Sequence, residues 1–390
     1  MNIVELYSLT SGQKIKKKNV LEKFYPLNID KYIVFQPFSK PSKCFNYWQD
    51  VIDILHPILK EAGISILQIG LNSEPSIQGC VDLRGKTNIN QCAYLISKAE
   101  LVLSSDSFSS HLAGLYNKNI VVLISNNYSQ CVSPFFGDKS KQIILEPDRI
   151  KRKPSFSLDE GVNKQINEIK IEAIARAVCR LLNLTFDFPY ETIYTGNSYT
   201  NQILESVPSS VTNVANMRID NLIVRMDYEF SENVLEHQMQ HCPVTIVTNK
   251  PINLELLKTY KPRIKQLFYI IDENYNLDFA IGIQKLSIPL SMTTNLNEEE
   301  LNSFKLEFLD VGLIQRKITK TKEEIIKNLP VEKLYYKSSK HTLYNGKLFS
   351  SKAAWLKNDS IPQLNQIQSI IDTEEFWKES EYHLYLKEKI

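Results

Sequence analysis

No apolar run in this sequence approaches the roughly 20 residues needed to cross a bilayer. Its opening, Met1 to Lys18, has polar and charged residues where a secretory signal would be apolar. A cytoplasmic protein with no membrane span is therefore expected. The six cysteines (Cys44, Cys80, Cys92, Cys131, Cys179 and Cys242) form no CxxC pair and have no histidine at metal-ligand spacing. That excludes the paired-thiol metal and redox motifs and predicts reduced, mostly buried thiols. Charge imbalance is nearly absent, with 46 Lys and Arg against 44 Asp and Glu, so no global field draws the chain to nucleic acid or anionic lipid. A repeat period of about 20 to 50 residues, the mark of solenoids and propellers, is also missing.

What is present is ordinary globular composition, 43% hydrophobic and 23% charged. The 390 residues exceed a single core, which stops growing near ~250 to 300, so two domains are expected. In the first half, short Val-, Ile- and Leu-rich segments alternate with helix-period segments, the pattern of a parallel sheet covered on both faces. Tyr32 to Gln36 reads as a strand, and Trp48, Val51, Ile52, Leu55, Leu59 and Ala62 then recur on one helical face before Gly63. Ile64 to Ile69, Leu101 to Ser104 and Ile120 to Ile124 are further strands. A helix containing Cys92, Ala93 and Ile96 starts after Thr87 or Asn88, either of which is placed to cap it.

Open α/β sheets bind ligands beyond the carboxyl ends of their strands. That rule selects the loops Ser39 to Phe45, Gly70 to Gln78, Ser104 to His111 and Ser125 to Phe136. The stretch Ser105-Asp106-Ser107-Phe108-Ser109-Ser110-His111 runs from a strand end straight into a helix amino terminus, where free N–H groups and the helix dipole favour phosphate. The same pattern also fits Asp106 or Ser107 as a plain helix cap with His111 packed inside.

Three segments of this half, Asp82-Leu83-Arg84-Gly85-Lys86-Thr87, Ala99 to Ser107 with His111-Leu112-Ala113, and Ile120 to Leu123, resemble the nucleotide-binding half of heptosyltransferase-type glycosyltransferases over roughly residues 30 to 150. The resemblance implies a GT-B-like fold of two Rossmann-like domains, with Asp106, Ser107 and the helix to His111 facing the donor diphosphate and Lys86 and Thr87 near the same crevice. Pro41-Ser42-Lys43 before Tyr47-Trp48 is similar to the family's lysine-tryptophan region, which makes Lys43 the candidate phosphate contact. Two departures stand out: Ser105 and Phe108 occupy the family's asparagine and glycine positions. In the family this half also comes second, whereas here the donor-type half comes first, an order consistent with a circularly permuted or independently assembled two-domain transferase.

The resulting organisation is a nucleotide-sugar-binding domain over 1–160, a linking helix over 161–184, a second Rossmann-like domain over 185–330 on the acceptor side, and a hairpin and helical tail over 331–390. Leu222 to Met226, Val244 to Val247, Gln266 to Ile271 and Leu286 to Leu290 read as strands of the second domain. Helices are expected near Glu232 to Gln240, Asn253 to Tyr260, Leu277 to Gln284 and Asn297 to Phe308. Asp227 and Glu229 follow the first of those strands and are the candidate catalytic carboxylates, although Arg225 is placed to pair with either. Asn345-Gly346 marks a tight hairpin, expected between Leu334 to Lys337 and Thr342 to Ser350.

These readings converge on a glycosyltransferase moving a sugar from a nucleotide-sugar donor to a glycan or lipid-linked saccharide, with no metal, because the Ser-Asp-Ser stretch lacks the paired acids of a divalent-cation site. Two alternatives stay open. One is a transferase acting on modified DNA, gripped by Lys333, Lys337, Lys340, His341, Lys347 and Lys352. The other is a sugar-nucleotide-binding protein without catalysis.

Overall fold

The computed structural model describes residues 1–15, 20–150, 152–161, 163–200, 202–214, 217, 219–273, 275–294, 296–305, 308, 311–316, 320–327 and 331–389. The chain divides into two compact units, Met1–Tyr190 and Glu191–Ile390.

The first unit opens with α1 (Ile3–Ser11). It continues through β1 (Tyr32–Gln36), α2 (Trp48–Glu61), β2 (Ser65–Gln68), β3 (Val81–Asp82), α3 (Ile89–Lys98), β4 (Leu101–Ser105), α4 (Phe108–Leu115), β5 (Asn119–Leu123), α5 (Ser129–Val132), β6 (Gln142–Leu145) and α6 (Ile171–Leu181). All six strands are parallel, in the order β3-β2-β1-β4-β5-β6. This is the doubly wound Rossmann order, reversing direction between β1 and β4.

Every residue of β1 and β4 is buried, as expected for central strands covered on both faces. On one face, Val34, Leu67, Val102 and Ile120 pack with Leu95, Ile96 and Ala113 of α3 and α4. On the other face, the ring of Phe35 meets Trp48 of α2 edge-on at 5.1 Å, and α6 packs against α2 and β5. The helix over 171–181 thus belongs to the first unit. Asn88, not Thr87, caps α3, in a reciprocal pair with Gln91. The strand β6 was not anticipated, because Gln142–Leu145 is short and only half-buried.

The second unit contains β7 (Tyr190–Thr195, beginning on the last residue of the first unit), β8 (Ile203–Ser206), β9 (Asn221–Arg225), α7 (Glu232–His241), β10 (Val244–Thr248), α8 (Leu254–Thr259), β11 (Ile264–Ile271), α9 (Leu277–Lys285), β12 (Leu290–Thr294), α10 (Glu298–Lys305), β13 (Ile314–Arg316), α11 (Lys322–Ile326), β14 (Leu334–Ser338), β15 (Lys340–Tyr344), β16 (Lys347–Phe349), α12 (Lys352–Leu356), β17 (Ser360–Ile361), β18 (Gln368–Ser369), α13 (Glu374–Lys378) and β19 (His383–Glu388). A nine-stranded sheet has the order β13-β12-β11-β10-β9-β8-β15-β16-β17, parallel as far as β15. A four-stranded sheet has the order β18-β14-β19-β7, joining the first strand of the unit to strands of the chain's closing part.

Each strand from β8 to β13 adds to the same side of its predecessor, so α7, α8 and α9 share one face. There Leu235, Met239, Leu257, Phe279 and Ile283 bury against Leu222, Ile246, Leu267 and Tyr269. Both units are α/β, as the sequence pattern implied.

Three local expectations are corrected. The strand expected at Leu286 to Leu290 is Leu290–Thr294 instead. Leu286 caps α9, Ser287 turns with φ +53°, and the strand starts only after Pro289. Leu334 to Lys337 is not an arm of the Asn345-Gly346 hairpin: β15 and β16 are the arms, while β14 pairs with β19 in the other sheet. Asn345 and Gly346 have φ of +47° and +71°, as a two-residue hairpin turn of this hand requires. The closing tail is not a helical stretch: its last strand, His383–Glu388, pairs along β14, and its described α-helices are the short Lys352–Leu356 and Glu374–Lys378. Residues 306–307 of the helix expected to reach Phe308 lie outside the described residues.

Candidate functional site

The reversal between β1 and β4 places two loops side by side at the carboxyl edge of the first sheet. β1 leads through Pro37 to Lys40 into a short 3₁₀ turn, Pro41–Lys43, and β4 leads through Asp106 and Ser107 into α4. The two loops are tied together. The carbonyl of Pro37 accepts from Ser105 Oγ (2.8 Å) and from Trp48 Nε1 (2.9 Å), and Ser39 Oγ donates to the Asp106 carbonyl (3.3 Å). Across this junction Lys43 Nζ forms an ion pair with the Asp106 carboxylate, whose side chain is only 6% exposed against 24% for Lys43.

Ser107 is the N-cap of α4 with extended backbone, and its hydroxyl makes no capping bond to the helix. The first-turn N–H groups therefore lack a side-chain cap, which leaves them for an anion. His111, one turn along, is held below the ordinary imidazole value, chiefly by burial and further by Lys43, while Asp106 opposes the shift. A neutral imidazole beside a lysine–aspartate pair is the result. Gly114 at the far end of α4 lets the helix lie against the Phe136 carbonyl, which a Cβ would approach to 2.7 Å.

Lys86 and Thr87 are placed differently. They follow β3, the edge strand two places from β1 and so roughly 10 Å away by strand spacing. Lys86 Nζ donates to the Asp82 carbonyl (2.8 Å), and Thr87 Oγ1 lies 3.2 Å from Cys92 Sγ. Their turn is built by Arg84, which grips Asp82 with Nε and Nη2 at 2.8 and 2.9 Å and holds that carboxyl at about 2. Gly85, at φ +66°, brings its N–H to the Gly70 carbonyl (2.8 Å). Thus Lys43, Asp106, Ser107 and His111 form one constellation, with Lys86 and Thr87 beside it.

Sequence reasoning missed Arg149. Its Nη2 donates to the carbonyls of Ser125 (2.6 Å) and Asn127 (3.3 Å), and Nη1 pairs with Glu146 (2.8 Å). This holds the loop after β5, where Asn126 donates to Ser42 Oγ (3.1 Å), next to Lys43, and to the Ser157 carbonyl (3.0 Å). Recognising β6 would have flagged Arg149, because it follows that strand's carboxyl end.

In the second unit, both oxygens of Asp227 are taken by Arg225 (2.8 and 2.7 Å), whose guanidinium also reaches Glu205 (2.5 Å) and lies 3.7 Å from the Tyr228 ring centroid. Glu229 is exposed, with its N–H 3.4 Å from the Arg225 carbonyl. The expected basic grip is not a solvated surface. Lys337, Lys340 and His341 are buried, and Lys340 Nζ lies between Glu205 (3.0 Å) and Glu379 (2.8 Å). Burial pushes the Lys340 ammonium down, but those two carboxylates outweigh it and hold it above its ordinary value.

His341 and His383 are likewise buried and kept uncharged, burial being the main cause, with values of about 4 and about 3. Unfolding releases both to the ordinary value near 6.5. Stability is then unaffected by them above about pH 6.5 and falls by roughly 1.4 kcal/mol per pH unit for each histidine as pH drops from there toward about 4. Urea midpoints measured between about pH 7.5 and pH 5 should show this slope. His341→Gln, whose amide oxygen can still accept from Asn365 N–H as His341 Nε2 does (3.2 Å), should roughly halve it, leaving the contribution of His383.

With this geometry in place, comparison with known proteins is informative for the first unit. Residues 5–148 match glycosyltransferase family 9, the heptosyltransferases. The family 9 match begins nearer the start of the chain than residue 30 and ends just after β6. Solved structures similar to this chain include heptosyltransferase II of the E. coli lipopolysaccharide system (17% identity, 40% of this chain and 48% of that one, TM-score 0.32). A family 9 glycosyltransferase from Veillonella parvula (17%, 46% and 50%, 0.32) and E. coli heptosyltransferase WaaC with ADP (16%, 40% and 46%, 0.30) are others. The chain spans about half the length of these structures. Among curated proteins nothing matches.

Proposed function

We propose that this chain is a glycosyltransferase whose first unit binds the diphosphate of a nucleotide-sugar donor at the β1/β4 junction and passes the sugar to a glycan or lipid-linked saccharide. The observation that carries the reading is the Lys43–Asp106 pair at the head of α4, within the segment that matches family 9. Departure of a nucleoside diphosphate concentrates negative charge, and a lysine with uncapped helix N–H groups stabilises it without a divalent cation. The acceptor hydroxyl needs a base. Of the two carboxylates weighed for that role, Asp227 is committed to Arg225, whereas Glu229 is exposed and is the one we assign.

A donor-binding protein without catalysis is the second reading, favoured by the commitment of Asp227. Burial of Lys340 and His341 weighs against a nucleic-acid acceptor. Incubating the full chain with a panel of nucleotide sugars and saccharide acceptors, with and without chelator, separates these readings. Chelator-resistant release of nucleoside diphosphate that falls in Glu229→Gln is expected. Donor binding with neither transfer nor slow donor hydrolysis supports the second reading instead, and activity that needs an added divalent cation contradicts the metal-free one.

A further inference from the structure

An unusual share of the molecule's exposed apolar surface is crowded into its first 24 residues. Met1, Leu6, Tyr7, Leu9, Ile15, Leu21 and Phe24 are all exposed, from 42% for Ile15 to 74% for Leu21. Isolated exposed hydrophobics are commonplace, but a cluster of them in one short segment marks an interaction surface. On α1 the side chains cannot simply turn inward, because the helix is fastened. Asn2 donates to the carbonyls of Ser133 (3.0 Å) and Gln130 (3.4 Å) and accepts from the Val4 N–H (3.1 Å), while Glu5 accepts from the Asn2 N–H (2.7 Å). No residue of α1 is buried, and Leu6, Tyr7 and Leu9 face outward at 49%, 65% and 67% exposure.

The charge of the same stretch is predominantly positive. Lys14, Lys16, Lys17, Lys18 and Lys23 stand against Glu5 and Glu22, although the whole chain is almost neutral. Lys14 and Lys23 are exposed. Leu and Tyr side chains on a short outward helix face, followed at once by lysines, suit the boundary between acyl chains and anionic headgroups. Tyrosine in particular favours that boundary, with its ring in the apolar layer and its hydroxyl in the wet one. A second copy of the chain fits less well, since an isologous contact through this face would set lysines against lysines.

We infer that α1, together with the exposed Lys14 and Lys23, forms a docking surface for an anionic membrane, lying on the bilayer without crossing it. This inference does not rest on the donor site, and it adds that the enzyme works at a lipid surface. No described helix is long and apolar enough to cross a membrane, which this mode does not require.

The test is co-sedimentation of the full chain with vesicles of pure phosphatidylcholine and with vesicles containing about 30% phosphatidylserine. Binding to the anionic vesicles only, reduced at high salt, is expected. Leu6→Glu with Leu9→Glu should weaken it by at least roughly tenfold, and Lys14→Glu with Lys23→Glu by a similar factor. Leu356→Glu, an exposed leucine of the second unit, should leave it unchanged. Unaltered melting temperatures would show that the variants fold. No binding to anionic vesicles, or binding that survives Leu6→Glu with Leu9→Glu, overturns the inference. So does a concentration-dependent dimer that this double variant abolishes, which would assign the face to protein contact.

Discussion

Lys43→Ala should reduce kcat/KM for the nucleotide-sugar donor on the order of 100-fold. A charge-assisted hydrogen bond to phosphate contributes roughly 1.5–3 kcal/mol, and each 1.4 kcal/mol is about tenfold. The substitution also strips Asp106 of its counter-ion, leaving a carboxylate that is only 6% exposed at the proposed diphosphate site. Repulsion then adds to the lost attraction. Asp106→Asn should do the reverse for the bare nucleoside diphosphate, holding or tightening its binding, because Lys43 is released from its pair and a nearby anion disappears. Opposite signs for two halves of one ion pair are what an anion site predicts. Equal losses in both variants would mean that the pair only fastens the two loops, and calorimetric titration with nucleoside diphosphate distinguishes the cases.

In the second unit, Lys340→Ala should destabilise the fold by about 3–5 kcal/mol, the cost of stranding buried charges. Glu205 and Glu379 are 3% and 4% exposed, and both lean on the Lys340 ammonium. A domain of this size loses roughly 2–4 °C per kcal/mol, so the melting temperature should fall by about 10 °C. Glu205 keeps its pair with Arg225, so Glu379 is the carboxylate left without its ammonium partner. Neutralising the acids as well, in Lys340→Met with Glu205→Gln and Glu379→Gln, should recover much of the loss, because a buried ionic cluster replaced as a whole costs far less than one broken by halves. Hydrogen exchange along β8 and β15 would show the loss where the cluster sits. A Lys340→Ala protein that melts with the wild type would mean that solvent reaches these carboxylates.

The parallel core of the first unit was legible because its physics is local. Tyr32 to Phe35 and Leu101 to Leu103 are uninterrupted apolar runs, as strands covered on both faces read. Lys43 and Asp106 were nameable from motif and rule together, but not as partners: 63 residues separate them, and only the strand order brings β1 beside β4. Arg149 escaped notice because β6 is half-buried and short, so nothing announced a strand end before it. In the closing part, Lys340, which reads as part of a surface patch, is drawn inside by Glu205 and Glu379, one preceding it by more than a hundred residues and the other following it by dozens. Charge patterning along a chain does not reveal such pairing. Likewise β14 abandons the adjacent hairpin for β19, where Tyr336 and Tyr385 sit opposite each other, a choice made by tertiary packing and not by the Asn-Gly turn.

The most direct test of the account is equilibrium binding of a panel of nucleoside diphosphates to the full chain, read as thermal shifts for the wild type, Lys43→Ala and Ser107→Ala. A ligand that binds only the folded state must raise its stability. The account predicts a shift for one nucleoside diphosphate, saturable in concentration and lost or strongly reduced in both variants. A wild-type protein that no nucleoside diphosphate stabilises, or one stabilised equally in all three forms, would contradict a donor site at the β1/β4 junction.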